Sequence, residues 1–318
     1  MKTILTKHGK IIALGILFVC LLLFPVIFAG RTDIINLGVL VFLFTSIAQS
    51  WNLLGGYAGL VNLGYAAFFG LGALVTRHLW LTFEVAYPLA LLAGTATATL
   101  FALIIGIPTL RFKGPYFVFG TFALAEILRI IVTNVFFKLS FLSGDTISNY
   151  SIVNRYFFSL VLAVVVITVV YLISKSRLGM AMKAIREDEV AAEATGINTF
   201  RPKLAAFTIS ALLASLCGGS FAFYHISYYH FYPFSPFWTF DAMFITYIGG
   251  VGTIMGPAVG AIFFVLLREQ LTLAIARGEI HQIIFGALFI LAVLNLRRGL
   301  FAPIEKLFSS ILKSFVRS

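Results

Sequence analysis

Apolar runs of membrane-spanning length recur through almost the whole sequence, and they decide what it can fold into. IIALGILFVCLLLFPVIFA is the first, and similar runs follow with only brief interruptions. Hydrophobic residues make up 60% of the 318 positions, charged residues 11%, and the mean hydropathy is +1.02. Water-soluble domains carry about a quarter charged residues. A soluble fold of this composition would leave apolar surface with no place to go, whereas lipid solvates such a surface directly. Only helices and closed barrels satisfy their own backbone in lipid, and a run of about 20 residues is a helix span, not a strand span. The fold class is therefore an all-α integral membrane protein, a polytopic bundle of about ten (eight to ten) transmembrane helices.

Candidate spans are 11–29, 35–54, 58–79, 86–110, 115–137, 156–174, 203–224, 236–250, 256–276 and 281–296. The stretch 236–276 reads either as one very long segment or as two, broken at GGVGTIMGP. Charge favours two. Lys2, Lys7 and Lys10 place the N-terminus in the cytoplasm under the positive-inside rule. Arg111, Lys113, the stretch 175–203, Arg297, Arg298, Lys306, Lys313 and Arg317 then all fall inside only if 236–276 crosses twice. Both termini are expected to be cytoplasmic. The first run is too long for a signal-peptide core and is read as a retained helix. The net charge of +11 is spread singly and in small groups between apolar runs, which suits loop asymmetry and not a nucleic-acid face. Cys20 and Cys217 lie in separate apolar stretches and read as small core residues.

The whole chain, 1–318, reads as one transmembrane domain with two appendages. SKSRLGMAMKAIREDEVAAEATGINTFRPK, within 175–203, is the main hydrophilic interruption and holds four of the twelve acids: Glu187, Asp188, Glu189 and Glu193. Asp188 suits an N-cap and Gly196 a position just past a helix end, so a short, alanine-rich surface helix is expected between them. Residues 303–316 place Ile304, Leu307, Phe308, Ile311, Leu312 and Phe315 at helical spacing, the pattern of an interfacial amphipathic helix.

Chemistry-bearing motifs are absent: there is no P-loop, HExxH, GxSxG or CxxC, and the five histidines show no ligand spacing. His225 and His230 sit in an aromatic stretch that reads as an interfacial belt. No catalytic or metal-binding constellation is expected, and no cofactor. The intramembrane carboxylates are read as Glu126 and Asp241. Glu126 and Arg129, three apart on one helix, are expected to pair, as an orientation lock or as part of a functional site. Asp241 is expected to open the broken segment and cap it. Glycine clusters in GGYAGLVNLGYAAFFGLGA and GGVGTIMGPAVGA serve close helix packing or line a path. A channel, an ion-coupled carrier and a subunit of an ATP-driven importer all fit these features.

The insert carries a resemblance. SRLGMAMKAIREDEVAAEATGIN resembles the cytoplasmic loop of branched-chain amino acid importer permeases of the LivM type, and Ala191, Ala192 and Gly196 match its AA-xxx-G core. WNLLGGYAGLVNLGYAAFFGLGA, FKGPYFVFGTFALAEILRI, ITYIGGVGTIMGPAVGA and LNLRRGLFAPI resemble successive segments of the same family over roughly 35–305. The resemblance implies a permease in the bacterial cytoplasmic membrane that binds no cofactor itself. Its partners would be a second permease subunit, two ATP-binding subunits that use ATP, an extracytoplasmic substrate-binding protein and membrane lipid, with no nucleic acid. The cargo would be a branched-chain or related amino acid, with urea or another small polar solute as the alternative. The insert would be the coupling helix, with Lys183, Arg186, Glu187, Asp188, Glu189, Ala191, Ala192, Glu193 and Gly196 meeting the ATPase. Asn62, Gly64, Tyr65, Phe68, Gly250 and Gly252 would line the path.

Overall fold

The computed structural model describes residues 15, 19–136, 139–142, 144–148, 150–274, 283–284, 286–287, 290–291 and 299–301. The expected span 281–296 and the amphipathic helix 303–316 fall largely or wholly outside these residues, as does the first half of 11–29.

Helix α1 (Thr32–Asn52) runs directly into a π turn (Leu53–Tyr57). Then come α2 (Tyr65–Thr82), α3 (Tyr87–Thr109) and α4 (Pro115–Val135). Prolines in the first turn of α3 and α4 cost no hydrogen bond there. A short strand β1 (Leu139–Phe141) and a one-turn helix α5 (Gly144–Ser148) precede α6 (Ile152–Lys175). The insert forms α7 (Arg177–Glu187) and α8 (Glu189–Ala194). Helix α9 (Phe200–Tyr224) leads to β2 (Ser227–Tyr229), which pairs antiparallel with β1, and to a single 3-10 turn (Tyr232–Phe234). Helices α10 (Phe237–Gly249) and α11 (Gly256–Ala274) follow.

Thr32–Tyr57, α3, α4, α6 and α9 are each long and apolar enough to cross a membrane. The stretch 236–276 is two helices, separated at 250–255 as the charge argument requires. At 13 residues α10 is about 20 Å long, short of the ~30 Å hydrocarbon core. Two expectations change. Residues 58–64 are not helical, so the segment expected at 58–79 begins at Tyr65. There Gly59 holds φ +72° and the Asn62 side chain takes the Gly64 N–H at 2.8 Å, which competes with helical bonding. Asp241 does not cap α10. It lies a turn inside the helix and pairs with Arg268 of α11 at 3.7 Å.

Helix α9 occupies the centre of the bundle, against α1, α2, α3 and α6. Its approach to α2 depends on missing side chains: a Cβ on Gly218 would overlap the Phe69 carbonyl, and one on Gly72 would overlap the Ser215 backbone. Backbone contact of this kind replaces the hydrophobic drive that lipid removes. Cys217 is buried in this core, as expected of a packing residue, whereas Cys20 is exposed and does not belong to a core. Leu89, Leu92 and Ile104 on α3, and Phe119 and Ile130 on α4, point outward, where lipid is their solvent.

Gly218→Ala should therefore lower the unfolding free energy in detergent by about 1–3 kcal/mol or more, since overpacking here displaces backbone. Gly120→Ala, whose Cβ meets nothing closer than 3.5 Å, should be neutral. Denaturant titration of the two purified variants checks the contrast.

Candidate functional site

The insert is built by caps. Ser176 accepts the Gly179 N–H at 3.4 Å to open α7. Asp188 accepts the Val190 and Ala191 N–H groups at 2.9 and 3.0 Å to open α8. Gly196, at φ +86°, turns the chain out of α8, so both sequence-expected ends of the short helix hold. The insert has one more helix than expected, because α7 precedes the capping Asp188.

Two different faces result. Gly179, Met182, Ile185 and Ala192 are buried against the bundle. Met180, Glu187, Val190, Ala191 and Gly196 are exposed, Val190 at 76%. Several expected contact residues are engaged within the chain: Glu189 pairs with Lys203 of α9, and Glu193 accepts the Thr199 hydroxyl at 2.7 Å. Asp188 serves its cap. Ala192 faces the bundle, so of the small residues only Ala191 and Gly196 are presented outward.

Arg186 points the other way, into the membrane domain. Its guanidinium donates to the Gly56 carbonyl of the π turn. Its side chain fills the space that a Cβ on Gly59 or Gly252 would take. Lys183 lies over the Tyr57 ring at 5.9 Å. Asn52, the last residue of α1, closes the same node. It donates to the Thr253 carbonyl at 2.9 Å and accepts the Gly252 N–H at 2.8 Å. Gly252 needs its glycine twice over, for φ +73° and for the close guanidinium. Thr253 Oγ1 donates to the Gly250 carbonyl at 2.7 Å and accepts the Gly256 N–H at 3.0 Å, which bridges the break between α10 and α11. Leu300 N–H adds a bond to the Ile248 carbonyl at 2.7 Å, with Gly299 against Gly250. Insert, π turn and helix break are thus one hydrogen-bonded unit, and it brings together Arg186, Gly250 and Gly252 of the expected residues.

The other expected path residues lie in the packed core. Tyr65 is fully buried, its hydroxyl 2.7 Å from Ser50 Oγ. Asn62 holds the Trp51 indole N–H on its carbonyl at 3.0 Å, Gly64 packs on Thr121, and Phe68 meets Phe207 edge to face. Glu126 and Arg129 do pair, Nε to Oε2 at 2.9 Å, but on a partly exposed face of α4, the least covered of the five long apolar helices.

At the far end of α9 two buried arginines hold carbonyls that helix geometry leaves open. Arg77 of α2, only 1% exposed, donates to Ala222, His225 and Ile226 carbonyls at 2.7–3.0 Å and to Ser140 Oγ. Arg155 of α6 donates to the Phe223 carbonyl at 3.1 Å. They favour the negative end of the helix dipole. The His225 imidazole is pushed down to about 4, first by burial, so it is neutral at pH 7.

Among the described residues, two cavities open at this end. One, of about 560 Å³, lies beside the β1–β2 hairpin among Arg77, His78, Phe136 and His230. The other, of about 230 Å³, lies between α1, α10, α11 and the end of α9. Arg268 and Glu269 line it. Reading only Glu126 and Asp241 as intramembrane carboxylates missed Glu269, although the expected span 256–276 contains it. The signal was present as RE inside an apolar run. Arg77 inside 58–79 was equally visible. Asn52 had no sequence signal, because its partners are some 200 residues away.

The family described as "Branched-chain amino acid transport system / permease component" matches residues 33–293. The high-affinity branched-chain amino acid transport system permease proteins LivM of Salmonella typhimurium and Escherichia coli are 27% and 28% identical to the chain, covering 84% of it and 69% of their own lengths. The nucleoside ABC transporter permease protein NupC of Lactococcus lactis is 25% identical, covering 57% of the chain and 63% of its own length. No solved structure matches.

Removing the Arg186 contact should loosen the unit at both ends. A hydrogen bond from a charged group contributes about 1.5–3 kcal/mol, so Arg186→Ala should speed amide exchange roughly ten- to hundredfold at 54–60 and at 250–253 together, with α9 unchanged. Hydrogen-exchange mass spectrometry in detergent checks this, and acceleration confined to the insert would contradict it.

Proposed function

The chain belongs to the branched-chain amino acid transport system / permease component family and is a permease subunit of an ATP-binding-cassette importer; we propose that its cargo is a branched-chain or related amino acid and that one of two ATP-binding subunits docks on the exposed face of α7 and α8. A second permease subunit completes the path, and a soluble binding protein delivers cargo at the far end of α9. ATP binding and hydrolysis belong to the docked partners, and this chain binds no nucleotide.

The observation that carries the docking is the division of labour within the insert. One face is locked to the bundle through Ala192, Glu189 and Glu193, and Arg186 reaches the helix break. The other face leaves Met180, Glu187, Val190 and Ala191 uncovered. A push on that face is carried to the π turn and the 250–255 break without passing through a flexible linker. Such a unit is a two-state element that a nucleotide-driven partner can bias.

Orientation follows from charge. The insert end carries Arg111, Lys113, Lys175, Arg177, Lys183, Arg186, Arg201 and Lys203. The far end carries fewer: Arg31, Arg77, Arg155 and Arg268, with Lys138 in the sequence between α4 and β1; Arg77 and Arg155 are spent on carbonyls and Arg268 faces Asp241. The positive-inside rule puts the insert in the cytoplasm, and with it both termini.

Val190→Asp places a charge on the uncovered face without touching the locked one. It should abolish co-purification of the ATP-binding subunits from mild detergent and reduce ATP-dependent leucine uptake at least tenfold. The amount of chain in the membrane should be unchanged. Uptake driven by an ion gradient and indifferent to ATP would count against the docking, and uptake of nucleosides in place of leucine would overturn the cargo.

A further inference from the structure

The 230 Å³ cavity has a chemistry that the coupling unit does not use. Its lining combines Leu43, Phe44, Trp238 and Val265 with the polar Tyr224, His225 and Tyr232 and two charged residues, Arg268 and Glu269. Both lie on α11, about 18 Å along the helix from its start at Gly256, and so well within a ~30 Å hydrocarbon core. Charges at that depth are costly and mark cavities or substrate routes. Consecutive helical residues diverge by about 100°, so Arg268 and Glu269 line different parts of the wall and do not face each other. Arg268 turns toward Asp241 at 3.7 Å and lies near the Phe44 ring at 5.7 Å, while its side chain stays 44% exposed. Of the other polar groups on the wall, Tyr224, His225 and Tyr232, the His225 imidazole is neutral.

This pattern selects among ligands. A simple anion would meet Glu269, and a simple cation would meet Arg268. An uncharged apolar solute would strip water from both charges and return nothing. A solute with a carboxylate and an ammonium on one carbon, and an aliphatic branch beside them, satisfies all three walls. The volume agrees. At about 30 Å³ per water, the cavity has the room of about eight waters, enough for one amino acid.

We propose that this cavity is an amino-acid subsite on the translocation route, in which Arg268 binds the carboxylate, Glu269 the ammonium, and Leu43, Phe44, Trp238 and Val265 the aliphatic side chain. The proposal rests on the importer reading and its amino-acid cargo. It places a selective station at the end of α9 opposite the insert, where cargo enters from the binding protein.

The test uses the complete importer, with its second permease and ATP-binding subunits, in proteoliposomes supplied with the binding protein. Leucine uptake is measured per ATP hydrolysed. Glu269→Gln removes one ligand charge and, among the described residues, orphans no partner, and it should lower the ratio at least tenfold. Arg268→Gln should do the same, and Arg268→Lys should recover most of it, because the cation is kept. A structural role for Arg268 would instead lower the amount of assembled complex in step with uptake. If the wild-type importer moves leucine and both glutamine variants match its ratio, the subsite is wrong and the importer reading stands. If the wild-type importer hydrolyses ATP yet moves no amino acid, the cargo reading and the subsite fall together.

Discussion

Lipid offers no hydrogen bonds, so a chain that interrupts a helix inside a bilayer must supply the missing partners from elsewhere in itself. That constraint organises this structure at both ends of the bundle. Near the insert the chain abandons α-helical bonding twice, at the π turn and at 250–255. Asn52 and Arg186 supply what those interruptions lack. At the far end α9 stops, and Arg77 and Arg155 take its last carbonyls together with those of the hairpin connection. Each of these side chains comes from a different helix than the backbone it serves, so satisfying the backbone also fixes how the helices sit against one another.

The two ends use the same device for different purposes. Arg77 makes its bonds while almost wholly buried, and no carboxylate is needed because several carbonyl dipoles share the charge. Such a node is hard to open, and it anchors α2, α9 and the β1–β2 hairpin as one block. Arg186 sits on a surface helix, remains exposed and makes one strong contact with Gly56. A single charge-assisted bond is worth far less than a buried network. The insert end is therefore the end able to rearrange, which is where a partner powered by ATP has to act.

Much of this architecture was legible in the sequence because spanning length and loop charge are local properties. Spans such as 86–110 and 115–137, the Asp188 cap and the Gly196 turn each depend on neighbouring residues alone, and the split of 236–276 needs only the loop charges counted along the chain. What stayed hidden depends on distance. Tyr65 and Phe68 look like path residues in a glycine-rich stretch, yet α9 and α1 pack over them. Glu126 and Arg129 pair as their spacing dictates, but only the tertiary arrangement shows that α4 lies at the edge of the bundle. Ala191 and Ala192 are indistinguishable in sequence. They separate only once α8 has a buried side, and then Ala192 belongs to the bundle and Ala191 to whatever covers the insert.

The placement of the amino-acid subsite and of the coupling unit on the same pair of helices has a mechanical consequence. Helices α10 and α11 meet at the 250–255 break, which Asn52 and Arg186 hold, and farther along Asp241 of one faces Arg268 of the other. A tilt introduced at the break changes the separation of α10 and α11 most at the opposite end. At 3.7 Å the Asp241–Arg268 pair is longer than a tight charge-assisted bond, about 2.7–2.9 Å, so a small displacement is enough to trade Asp241 for a ligand carboxylate on Arg268. The coupling unit can then act on cargo without touching it, by setting which carboxylate the arginine holds.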